Sequence, residues 1–156
     1  MVKESVTDGL GYRLVIFAQG CPRECPGCQN PDLIPVSGGK EMTGAQVLQL
    51  IKDHTTPLIS GITFSGGDPL MQPEELVQVL QLIRLEYPRY SIWVYTGYFF
   101  EEVCDLPALG FIDVLVDGPY EAARRDLGLP FRGSDNQRLI NVPASLKSGS
   151  LKCLEF

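Results

Sequence analysis

Apolar positions follow two rhythms along this chain. Continuous runs of strand formers occupy residues 11–19 (Gly-Tyr-Arg-Leu-Val-Ile-Phe-Ala-Gln), 61–65, 90–96 and 112–116, with a shorter run at 139–142. Runs without polar alternation are what strands buried on both faces require. Between them the period lengthens to that of a helix. Thr43 and Gln46 have the spacing of a capping box, and Val47, Leu48, Leu50 and Ile51 give an apolar face that ends before Pro57. Pro73, Glu74 and Glu75 open a second helix whose Leu76, Val79, Leu80, Ile83 and Tyr87 recur at helical spacing up to Pro88. A short helix over 99–109 is weakened by Pro107. Residues 120–138 read as a polar loop, and the last segment, with Ser148-Gly149-Ser150, as a turn and a short tail strand.

Strand–helix alternation with short connections predicts an α/β fold with a mostly parallel sheet and right-handed crossovers. Too few units are present to close an eight-stranded barrel, so the expectation is an open, partial β/α barrel with a curved sheet, formed as a single domain over 1–156. In parallel sheets ligands bind at the carboxyl ends of the strands. The unusual stretches fall there: the loop after the first strand, Ser65-Gly66-Gly67-Asp68, Tyr95-Thr96-Gly97 and Asp117-Gly118-Pro119.

That first loop, Gly20-Cys-Pro-Arg-Glu-Cys-Pro-Gly-Cys-Gln-Asn-Pro31, holds Cys21, Cys25 and Cys28 in C-x3-C-x2-C spacing. Three thiolates on one short loop suit a soft metal centre. A closed zinc site takes four ligands, so three protein ligands leave a position open. A zinc knuckle completed by His54, Cys104 or Cys153 and a disulfide framework are the alternatives that spacing leaves standing. His54 reads as a helix-end residue and Cys104 as part of an apolar helix face.

The net charge of −6 argues against a nucleic-acid binder, which would present a basic patch. The amino-terminal residues lack the apolar core of a signal peptide, and no apolar run is long enough to span a membrane, which predicts a cytoplasmic protein with reduced thiols. Gly66 and Gly67 allow close backbone approach to a ligand or simply make a tight turn, and Asp68 offers an acceptor to an ammonium group. Thr96, Tyr95 and Asp117 read equally as ligand contacts or as strand ends. Arg124, Arg125, Arg132 and Arg138 form either a solvated face or a carboxylate or partner contact.

These motifs together resemble the radical S-adenosylmethionine enzymes, on Cys21, Cys25 and Cys28 and on Gly66-Gly67-Asp68-Pro69. Tyr95-Thr96-Gly97-Tyr98, Asp117-Gly118-Pro119-Tyr120 and Arg132-Gly133-Ser134-Asp135-Asn136-Gln137-Arg138 extend the resemblance, over about residues 9–142, to the activating proteins of anaerobic (class III) ribonucleoside-triphosphate reductases. The resemblance implies a [4Fe-4S] cluster on the three cysteines and S-adenosyl-L-methionine at the fourth iron. Its reductive cleavage would give a 5′-deoxyadenosyl radical that takes hydrogen from a glycine of the large reductase subunit. It further implies that Gly66, Gly67 and Asp68 hold the methionine amino end and that Gly27 offers backbone near the adenine. Thr96 and Asp117 would contact ribose or organise the cofactor, and Arg138 would meet the carboxylate. Asp68 departs from the more frequent Glu. Flavodoxin or ferredoxin is the expected electron donor, and homodimerisation is left open. The alternatives are a radical enzyme acting on a small molecule, as a deazapurine synthase does, or on a different glycyl-radical enzyme.

Overall fold

The computed structural model describes residues 1–156 as one six-stranded sheet in sequential order. The strands are β1 (Val2–Ser5), β2 (Tyr12–Ala18), β3 (Ile59–Gly66), β4 (Ser91–Tyr95), β5 (Val114–Asp117) and β6 (Arg138–Asn141). β2 to β5 are parallel, and β1 and β6 add antiparallel edges. The helices are α1 (Gly44–His54), α2 (Pro73–Glu86), α3 (Phe100–Val103) and α4 (Val142–Ser148). The expected capping box closes α1: Thr43 Oγ1 accepts from the Gln46 N–H, and the Gln46 side chain accepts from the Thr43 N–H.

Burial on both faces explains the unbroken apolar runs. One face carries Leu14, Ile62, Ile92, Val94 and Leu115, which join Ile51, Leu80 and Ile83 of α1 and α2 in a cluster of 20 buried residues. The opposite face carries Trp93, Val114, Val116 and Leu139, with Tyr95, Phe131 and Leu154 packed against them. No helix is long and apolar enough to cross a membrane.

Three features differ from the expectation. β1 is mostly exposed, and as an edge strand it needs no apolar run to form. The 99–109 helix splits into α3 and a 3-10 turn at Pro107–Phe111, because Pro107 removes a helical donor. The segment after β6 is the helix α4, capped by the Asn141 side chain, which accepts from the Ala144 N–H, and ended by Gly149 at φ 64°. The tail strand survives only as a bridge between Cys153 and Ile140.

Arg13 is wholly buried on the face opposite the helices. Its guanidinium donates to Thr63 Oγ1 at 2.6 Å, to Ser91 Oγ and O at 2.7 Å each, to the Ile62 carbonyl at 2.8 Å and to the Leu10 carbonyl at 3.0 Å, and it stands 5.3 Å from the Trp93 ring centre. Desolvation pulls its pKa down to about 10. A methyl at Gly61 would lie 2.5 Å from this guanidinium. Arg13→Met would strand several buried acceptors, so a loss of about 3 kcal/mol or more is expected in urea unfolding. Arg13→Lys should recover only part of it, since an ammonium does not reproduce the fork.

Candidate metal centre

The carboxyl ends of the strands are laced together from β2 to β6. After β2 the chain turns at Gly20 (φ 96°) into the cysteine loop. That loop is pinned by the Gly20 N–H donating to the Leu33 carbonyl at 2.9 Å and the Cys21 N–H to the Ile34 carbonyl at 3.0 Å. The Gly67 and Asp68 N–H groups reach back to the Ala18 and Gly20 carbonyls at 2.9 and 2.8 Å. A Cβ on Gly66 would stand 2.6 Å from the Ala18 backbone, and one on Gly67 would stand 2.2 Å from the Gly20 carbonyl oxygen. The glycine pair is therefore required first of all by the strand that carries the cysteines.

Asp68 ties the end of β3 to that of β4. Its carboxylate accepts from Thr96 Oγ1 at 2.9 and 3.0 Å, from the Gly97 N–H at 2.9 Å and from the Leu70 N–H at 3.1 Å. Asp68 is 0% exposed, and burial pushes its carboxyl above the usual range, opposed by those hydrogen bonds and by Arg23. The loop after β5 closes the ring of strand ends. Asn136 Nδ2 donates to the Pro119 carbonyl at 2.7 Å and Gln137 Nε2 to the Gly118 carbonyl at 3.2 Å. This loop crosses to the cysteine loop: a Cβ on Gly27 would meet Ala122 Cβ at 3.3 Å, and one on Gly133 would meet Gln29 Nε2 at 3.2 Å.

The laced ends enclose a cavity of 680 Å³, lined by Cys21, Cys25 and Cys28, by Gly66, Gly67, Tyr95 and Thr96, and by Tyr120, Leu129, Phe131 and Arg132. Its volume is in the range of cofactor and small-ligand sites. All five cysteines are free. The Cys25 carbonyl accepts from the Cys28 N–H at 3.0 Å, and Cys28 Sγ accepts from the Asn30 N–H at 3.4 Å. Burial raises the Cys21 thiol pKa, so its proton must leave when a metal binds. The three sulfurs are not gathered to the spacing of a single metal ion. A multi-iron cluster takes each thiolate on a different iron, so this soft, all-sulfur donor set fits a cluster.

The remaining site expectations divide. Gly66, Gly67 and Thr96 line the cavity. Asp68 is not among the lining residues, and its oxygens accept from protein donors. Gly27 faces a separate shallow depression with Cys25 and Pro31. Asp117 and Arg138 also lie outside the cavity lining. Asp117 is 0% exposed and accepts from the Phe100 N–H at 2.7 Å, and its carboxylate pairs with the Arg138 guanidinium, whose Nε is 2.9 Å from Asp117 Oδ1. Arg138 also donates to Glu101 at 2.7 and 3.0 Å. Its charge is shared between two carboxylates.

The arginines that reach the cavity are Arg23, Arg125 and Arg132. The Nε atoms of Arg23 and Arg132 are buried without a hydrogen-bond partner. Arg23 also stacks 5.0 Å from the Tyr98 ring centre. Sequence reasoning gave Arg23 no role. The available signal was a cation placed inside the cysteine motif itself.

The Arg138–Glu101 pair carries a pH prediction. Arg138 holds the Glu101 carboxyl below its ordinary value, so the pair stabilises the fold above the unfolded carboxylate pKa, and the contribution is lost as pH falls through the folded value. Glu101 is 60% exposed in its side chain, which keeps the effect small. Glu101→Gln should melt about 1–3 °C below the parent at neutral pH, and the gap should close as pH falls through the lowered carboxyl value of the folded state.

The 4Fe-4S single cluster domain family matches residues 7–140 of this chain. Among curated proteins, the anaerobic ribonucleoside-triphosphate reductase-activating protein of Enterobacteria phage T4 is 37% identical over 134 residues, covering 85% of each chain. The protein of the same name from Escherichia coli K12 is 38% identical over 138 residues, covering 85% of this chain and 90% of its own. That from Vibrio cholerae is 40% identical over 139 residues, covering 85% and 89%. With three cysteines lining one cavity and a family match that spans nearly all of the sheet, the chain belongs to the 4Fe-4S single cluster domain family and, within it, to the anaerobic ribonucleoside-triphosphate reductase-activating proteins.

Proposed function

We propose that this chain is a radical S-adenosylmethionine enzyme that installs a glycyl radical on the large subunit of an anaerobic ribonucleoside-triphosphate reductase. Cys21, Cys25 and Cys28 would hold a [4Fe-4S] cluster, which when bound supplies one electron at low potential. One electron added to S-adenosyl-L-methionine breaks a carbon–sulfur bond and gives methionine and a 5′-deoxyadenosyl radical. That radical takes one hydrogen atom from the partner's glycine, leaving 5′-deoxyadenosine and a glycyl radical. The observation that carries this reading is the single cavity shared by three thiols, the Gly66-Gly67 backbone and two guanidiniums with unpaired Nε atoms. The sequential, mostly parallel sheet suits a barrel segment open on one side.

The chain's own residues have defined tasks in this reading. The backbone of Gly66 and Gly67 borders the space beside the thiols, and Thr96 fixes the neighbouring strand end through Asp68. Arg23 and Arg132, which line the cavity, meet the methionine carboxylate. Tyr120, Leu129 and Phe131 shield the cavity from water, which protects a radical from side reactions. Gly27, within the cysteine loop, lines a depression beside the cavity, and Asp117 acts at a distance from the ligand. The electron would come from a flavodoxin or ferredoxin in the cytoplasm.

The test is anaerobic reconstitution with iron and sulfide, followed by reductant and S-adenosyl-L-methionine. The expected products are methionine and 5′-deoxyadenosine in equal amounts, and a glycyl radical signal when a cognate reductase subunit is present. An intact cluster that never yields 5′-deoxyadenosine would sink the reading. Product that forms while the reductase stays radical-free would shift it to a small-molecule substrate.

A further inference from the structure

The face opposite the helices holds an aromatic group of Trp93, Phe131 and Phe156 that bears on the cavity wall. Phe131 lines the cavity and has a φ of 58°, a left-handed conformation that a bulky residue adopts only when its surroundings hold it there. It is held from three sides. Its ring meets Trp93 edge-on, with centres 5.3 Å apart at 78°, and meets Phe156 edge-on at 5.4 Å and 89°. Its carbonyl accepts from the Tyr95 hydroxyl at 2.7 Å.

Phe156 reaches this position because residues 151–156 run beside β6. The Asn141 N–H donates to the Lys152 carbonyl at 2.8 Å, the Leu154 N–H to the Leu139 carbonyl at 2.6 Å, and the Lys152 N–H to Ser145 Oγ at 2.9 Å. Leu154 packs into the Trp93 group, and Phe156 lies 6.4 Å from the Trp93 ring centre. Phe156 is nevertheless 55% exposed and does not line the cavity. Its contacts therefore add little to the main core and bear on Phe131.

We propose that Phe156 is a positioning residue. It acts as a latch that sets the cavity wall over residues 125–133 by holding Phe131 in its strained conformation, and so fixes where Arg132 stands. The latch has consequences for S-adenosyl-L-methionine binding only through the function proposed above. The wall itself is a property of the apo fold, so the two are separable.

The test uses the reconstituted full chain, the variant Phe156→Ala and the conservative variant Phe156→Tyr. Brief trypsin treatment under native conditions should cut after Arg125 and Arg132 about tenfold faster in Phe156→Ala, the scale of one lost edge-on contact with Phe131 and one tilted contact with Trp93. Cutting at Lys52 and Arg84, in α1 and α2, should stay at the parent rate, and Phe156→Tyr should restore the parent pattern. Iron and sulfide content should not change, and the dissociation constant for S-adenosyl-L-methionine should rise about tenfold. Parent-like cutting after Arg125 and Arg132, or equal acceleration at Lys52 and Arg84, overturns the latch. Absence of S-adenosyl-L-methionine binding in the parent overturns the proposed cofactor instead, and the trypsin pattern then judges the latch alone.

Discussion

Cys25→Ala is expected to yield a colourless protein that retains almost no iron or sulfide after reconstitution and forms no 5′-deoxyadenosine above background. The substitution is a clean one. The contact that shapes the turn here is the Cys25 carbonyl accepting from the Cys28 N–H, and alanine keeps it. Only the sulfur is lost. Two remaining thiolates do not retain a cluster whose irons each need an anchor. Cys104→Ala and Cys153→Ala serve as controls. The Cys104 thiol lies against the Glu101 carbonyl at 3.9 Å, and Cys153 bridges to β6, both away from the cavity. Both variants should keep full cluster content. A Cys25→Ala protein with parent-level iron, sulfide and product would remove the cluster assignment, and loss of cluster in Cys104→Ala would redirect it to a fourth ligand.

Gly67→Ala is expected to have the second-largest effect, and for a reason other than ligand contact. The added methyl would stand 2.2 Å from the Gly20 carbonyl oxygen and 2.7 Å from the Leu33 carbonyl oxygen. Both are backbone atoms and neither can rotate aside. The chain must move where the Asp68 N–H bonds the Gly20 carbonyl at 2.8 Å, one residue before the first cysteine. Overpacking of this kind costs about 3 kcal/mol, and the displacement should also impair cluster assembly. The check is urea unfolding of the apo-protein beside iron content after reconstitution. If Gly67→Ala matches the parent in apo stability but fails to bind S-adenosyl-L-methionine, close approach to a ligand is the stronger constraint. If both stability and cluster content fall, the glycine serves the cysteine loop.

Asp68 and Arg138 show why strand-end motifs were easier to locate than to assign. Both sit at the strand ends where the sequence places them. A one-dimensional reading sees a carboxylate beside two glycines and a cation near a strand, and matches each to a ligand. Three-dimensional neighbours engage the same groups. Thr96 and the Gly97 N–H, 28 and 29 residues away in sequence, fill the Asp68 carboxylate, and Asp117 and Glu101 neutralise Arg138. Such pairings depend on which strand lies beside which, and local sequence carries no trace of them. Arg132 was legible as part of a basic stretch and of the Arg132–Arg138 motif, and its buried, unpaired Nε appears only once the loop is folded over the cavity.

By itself the sequence determined the parallel strands, the capped helix α1, the proline-opened helix α2 and the cysteine triplet at the end of the first buried strand. Each of these is written in local periodicity, capping residues or spacing, which act over a few residues. The tertiary structure alone decided that the sheet runs in sequential order with antiparallel edges. It also decided that Gly67 packs on the cysteine loop, and that Phe156 braces a cavity wall 25 residues away in sequence at Phe131. These depend on packing between distant segments, where burial, steric exclusion and competition for hydrogen-bond donors choose the partner.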